Sequence, residues 1–146
     1  MKRLLIGGIL ILPNVFACSS STCGDRAKIG ISVTRSEAET MFAFTKCGNL
    51  AADPAVFLLD VIKLNQTGSR TQWCSVLVGK SGMTLGRSWT YGHSEPGIGV
   101  EGCLDLTAGK YRVTVRGHNG GGIGIQIFTV DPAGRVSSEG NPCPSK

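Results

Sequence analysis

From residue 27 onward the chain reads as short apolar runs separated by turn residues, the pattern of an all-β protein. Ile29, Ile31 and Val33 alternate with Gly30, Ser32 and Thr34, and Met41 to Cys47 gives a second run rich in aromatic and small residues. Val56 to Leu64 is apolar at odd and even positions alike, as expected of a central strand. Thr67-Gly68-Ser69 turns the chain into Trp73 to Val78, and Gly79 to Gly82 turns it into Met83 to Tyr91, a weaker strand with Gly86 inside. Ile98, Val100, Leu104 and Leu106 mark the next strand. Tyr111, Val113 and Val115 then face one way while Lys110, Arg112, Thr114 and Arg116 face the other, which predicts one buried and one solvated face. Asn119-Gly120 signals a hairpin loop before Ile123, Ile125 and Ile127, and Asp131-Pro132-Ala133-Gly134 turns once more.

Only Ser36 to Thr40 has helix-like composition, and it is too short to stand alone. The count is about eight or nine strands at roughly ten-residue spacing. This predicts one all-β domain over residues 27–138, a single antiparallel β-sandwich or jelly roll, with an irregular barrel as the alternative and 139–146 as a polar tail.

The first 17 residues read as a signal peptide. Met1-Lys2-Arg3 is a short positive region, Leu4 to Leu12 is apolar apart from Gly7 and Gly8, and Pro13-Asn14 ends the run. It is too short to span a bilayer. Val15-Phe16-Ala17-Cys18 resembles the bacterial lipoprotein box, in which the cysteine becomes acylated, and Ser19-Ser20-Ser21-Thr22 resembles the tether of such proteins, here residues 18–26. Phe16 departs from that pattern, and Val15 and Ala17 equally suit an ordinary signal peptidase. The resemblance implies a lipid on Cys18 and anchoring in the cell envelope; the alternative is a soluble periplasmic or secreted protein. Loss of Lys2 and Arg3 lowers the formal charge from +5 to +3, a mild excess that points to no nucleic acid.

Six cysteines follow the signal, at 18, 23, 47, 74, 103 and 143. Export makes disulfides the default, so Cys23, Cys47, Cys74, Cys103 and Cys143 are candidates, with Cys74–Cys103 the first pair expected because both fall in predicted strands. If Cys18 is acylated, one thiol is left over. No Cys-x-x-Cys occurs and there are only two histidines, so neither a zinc site nor any cofactor is implied.

Leu106-Thr107-Ala108-Gly109-Lys110-Tyr111 resembles the Leu-x-x-Gly-x-Tyr start of a late strand in extracellular sandwich modules, where the tyrosine packs its ring and its hydroxyl caps backbone at the corner. That resemblance implies a fold and carries no function. Gly79-Lys80-Ser81 lacks the upstream glycine and following helix of a phosphate loop. His93-Ser94-Glu95 lacks the cysteine pair that completes a zinc deaminase site. There is no Gly-x-Ser-x-Gly elbow, and Glu101 and Asp105, on one predicted strand face, look like solvated carboxylates.

Two candidate binding surfaces remain. Trp89, Tyr91 and His93 fall together before a Gly-Pro loop, where aromatics either stack on a ligand or fill the core. Lys110, Arg112 and Arg116 form a basic stripe that either meets an anion or is a solvated face. The expectation is a non-catalytic envelope or secreted binding domain whose partner is a glycan, an envelope polymer or another envelope protein, with the membrane touched only through a lipid anchor. An exported inhibitor or immunity factor, and an enzyme with an unrecognised site, are the alternatives.

Overall fold

The computed structural model describes residues 28–37, 39–48, 53–118, 122–140 and 142–143. The expected signal peptide, tether, Cys18, Cys23 and the Asn119-Gly120 loop lie outside the described residues. Nine strands form two antiparallel sheets packed as a sandwich, with no helix among the described residues. They are β1 (Lys28–Ser36), β2 (Glu39–Cys47), β3 (Val56–Leu64), β4 (Arg70–Val78), β5 (Ser88–Thr90), β6 (Ile98–Glu101), β7 (Gly109–Gly117), β8 (Ile123–Val130) and β9 (Val136–Glu139).

The smaller sheet runs β5-β2-β1 and the larger β9-β8-β7-β3-β4-β6. They meet at one parallel pair, Lys28 with Ile123. Gly124 allows that approach, because a Cβ there would stand 2.5 Å from the Ile29 carbonyl oxygen. The inward positions follow from period-two alternation: Ile29, Ile31 and Val33 on β1, Leu59 and Val61 on β3, and Tyr111, Val113 and Val115 on β7 are all buried. A chain of rings ties the layers. Tyr111 stacks on Phe128 at 5.3 Å, Phe128 meets Phe42 edge-on at 5.8 Å, and Phe42 stacks on Trp89 at 6.3 Å.

Two disulfides close the described chain. Cys74–Cys103, the pair expected first, joins β4 to the chain after β6, and Cys47–Cys143 ties the C-terminal segment to the end of β2. Both are compatible with an oxidising, exported environment.

Three local expectations change. The strand foreseen over Met83 to Tyr91 shrinks to Ser88–Thr90, because turns occupy 86–87 and 91–92 around left-handed Gly86 and Gly92. The strand through Leu104 and Leu106 ends at Glu101: Gly102 adopts φ 71° and the disulfide at Cys103 draws the chain off the sheet edge. Cys103 is therefore outside a strand, and Asp105 shares no strand face with Glu101. Ser36 to Thr40 holds the β1–β2 hairpin turn, where Glu37 takes φ 53°.

Candidate functional site

The segment 102–107 has no regular structure, so its backbone groups need partners from elsewhere. Four successive carbonyls receive one side-chain donor each. Leu104 accepts from the Tyr91 hydroxyl (2.7 Å), Asp105 from the Trp73 indole (3.1 Å), Leu106 from Arg35 Nη1 (3.2 Å) and Thr107 from the Tyr111 hydroxyl (2.7 Å). Trp73 reaches in because the β3–β4 register shifts beside Val61, a bulge that re-aims the side chain. Tyr111 thus does what a corner tyrosine does: its ring is fully buried and its hydroxyl caps backbone four residues upstream.

This anchored connector forms one wall of a cleft of about 420 Å³ at one end of the sandwich. The opposite wall is a cross-strand row on the smaller sheet: Arg35 pairs with Thr40, and the Tyr91 amide donates to the Thr40 carbonyl at 2.8 Å. Asp105 and Leu106 line it from the connector. Burial, then the nearby Tyr111 and Asp105, hold the Tyr91 hydroxyl pKa well above the usual tyrosine range, so the group stays a donor. Arg35 was not among the residues the sequence singled out. The signal was present: Ile29, Ile31, Val33 and Arg35 are one i, i+2 series, so an inward apolar face ends on a guanidinium.

The Trp89–Tyr91–His93 cluster divides. Trp89 is 5% exposed, paired across the strand with Phe42, and its indole donates to the His93 carbonyl at 3.2 Å, so it fills the core. Tyr91 is half-buried and lines the cleft. His93 is exposed beside Glu95 at 3.2 Å, and His118 stacks on Phe57 at 4.3 Å; the two histidines do not form a metal-holding cluster among the described residues.

Lys110, Arg112 and Arg116 do line one column of the larger sheet's outer face. The registers give its composition row by row. Arg116 lies between Leu58 and Ile123, Thr114 between Asp60 and Ile125, Arg112 between Ile62 and Ile127, and Lys110 between Leu64 and Thr129. Leu77 extends the first row. A basic column is therefore flanked by two aliphatic ones, and Ile125 and Leu77 are 62% and 51% exposed. Lys110 is paired with Glu139 at 2.6 Å. Arg112 and Arg116 make no ion pair among the described residues, and Arg112 Nε is buried without a hydrogen-bond partner. Asp60 is occupied by Ser75 (2.8 Å) and Gln72 (3.4 Å).

No protein-family model, no curated protein and no solved structure matches the chain. The two surfaces are therefore read from their chemistry.

Proposed function

We propose that this is a non-catalytic, exported interaction domain that binds a protein partner through the open face of the larger sheet. The observation that carries the reading is the pair of aliphatic columns around Arg112 and Arg116, which make no ion pair among the described residues. Solvent-facing sheet positions normally alternate to polar residues; here Leu58, Ile62, Ile123, Ile125 and Ile127 stand there instead. With strands about 4.8 Å apart and a rise of about 3.4 Å per residue, the four long strands β8, β7, β3 and β4 present roughly 550 Å², less than the ~800 Å² per side of a standard interface and in the range of a smaller, transient one.

Charge selects the kind of partner. Two guanidinium groups without an ion pair among the described residues, set amid apolar side chains, complement a surface that offers carboxylates among apolar residues, and arginine is a frequent hot-spot residue. A second copy would set arginine against arginine. A basic enzyme would be repelled, which narrows any inhibitor role to acidic targets. The columns hold no aromatic ring for sugar stacking. The lipoprotein-like Val15 to Cys18 would hold such a domain at an envelope membrane.

The test is capture from an envelope fraction by the immobilised, oxidised protein, its Ile125→Asp variant and its Arg112→Glu/Arg116→Glu variant. An acidic protein retained by the wild type, lost from both variants and weakened by salt supports the reading. Ile125 is exposed, so its replacement leaves the melting temperature unchanged. Retention that neither variant nor salt alters assigns recognition elsewhere and refutes it.

A further inference from the structure

A separate site lies at the end of the sandwich, beyond the interaction face. Arg35 brings a cation to the end of an apolar interlayer, where an unpaired charge is costly. Among the described residues its side chain's one hydrogen bond goes to the Leu106 carbonyl, its Nε is buried without a partner, and no carboxylate lies within ion-pair distance. Asp105 lines the same cleft and is not paired with it. Thr40, the cross-strand partner of Arg35, lines the same cleft; it is only 3% exposed, and its hydroxyl makes no hydrogen bond among the described residues yet is not sealed from the cleft. A cation, an anion and a hydroxyl are thus held apart by a connector that four side-chain hydrogen bonds and a disulfide fix in place.

We infer that this cleft binds an acidic sugar, with a hexuronate carboxylate on Arg35 and ring hydroxyls donating to Asp105. The guanidinium fork matches a carboxylate. Asp105 accepts only, so the ligand must offer donors beside its own negative charge, which excludes a bare carboxylate as the best occupant. The half-buried Tyr91 supplies carbon surface for a pyranose, and the cleft volume falls within the range of small-ligand sites.

The experiment titrates the exported, disulfide-bonded protein with glucuronate, glucose and acetate, following backbone amide and arginine Nε–H signals by NMR. Saturable shifts at Gly92, Asp105 and Arg35 with glucuronate are expected, with glucose and acetate at least roughly tenfold weaker. Asp105 is exposed, so Asp105→Ala keeps the fold, removes the acceptor for the ring hydroxyls and should weaken glucuronate roughly tenfold. Arg35→Gln should weaken it by roughly ten- to a hundredfold, and Arg35→Lys serves if the loss of the Leu106 bond disturbs folding. The inference is overturned by acetate binding as tightly as glucuronate, by shifts that never saturate, or by glucuronate affinity that survives Asp105→Ala unchanged. None of these outcomes bears on the arginine face.

Discussion

Gly30 lies beneath the Cys47–Cys143 disulfide, and that placement can be tested by a four-protein cycle. A Cβ built at Gly30 would stand 2.8 Å from each of the two sulfurs and 2.5 Å from Thr45 Oγ1. The hydroxyl can rotate away, whereas the sulfurs are fixed at both ends. Overpacking of this kind costs about 1–3 kcal/mol, offset by the ~0.4–1 kcal/mol that a Gly-to-Ala change recovers from the unfolded chain. Gly30→Ala should therefore destabilise the oxidised protein by about 0.5–2 kcal/mol, or some 2–8 °C for a domain of this size.

Replacing both cysteines by alanine removes the obstruction and a constraint together. With 96 residues separating the partners, loop-closure entropy sets an upper bound of about 4.7 kcal/mol on the disulfide's contribution. The realised value should be about 2–4 kcal/mol, because the C-terminal segment regains freedom in the folded state once released. In that background Gly30→Ala should be neutral or mildly stabilising, giving a coupling of about 1–2 kcal/mol. Urea denaturation of the four proteins, followed by circular dichroism, measures it. An equal cost of Gly30→Ala in both backgrounds would show that the disulfide is not what requires the glycine.

Other outcomes follow from the same geometry. Tyr111→Phe removes a fully buried donor from the Thr107 carbonyl and should cost about 1–2 kcal/mol in denaturant titration, whereas Tyr91→Phe, whose ring is only half-buried and whose bond to Leu104 is exposed, should cost less. Because the folded state raises the Tyr91 pKa above its ordinary value of 10.0, the stability it contributes is present below that pH and is lost as pH rises beyond it; Tyr91→Phe should flatten the decline seen between pH 10 and 11.5. Acylation of Cys18 predicts that Cys18→Ala moves the protein from the membrane to the soluble fraction and abolishes incorporation of a fatty-acid label, and absence of label on the wild type would remove the anchor.

What the sequence made legible depended on how far period two persisted. β7 alternates without interruption, so both its buried face and its basic column were readable residue by residue. β3 is central, as its apolar character at odd and even positions implied, but that character had a second cause. Its outward residues Leu58, Ile62 and Leu64 are part of an uncovered face, and only the registers with β7 and β8 reveal that Ile123, Ile125 and Ile127 join them. Pairing is a long-range fact that no local window contains. The same holds for the end cleft. Leu104 and Leu106 preserve the i, i+2 spacing of a strand, yet the Cys74–Cys103 bond and left-handed Gly102 take the chain off the sheet, and the spacing survives without the structure it suggested. Arg35 was hidden for the opposite reason. Its alternation with Ile29, Ile31 and Val33 is intact, but an arginine at a strand end ordinarily faces water, so the residue type masks the direction that the spacing implies. Where pattern and polarity disagree at the end of a strand, as at Arg35, the pattern fixes the side chain's direction, and the half-buried charge that results marks the place to look for a ligand.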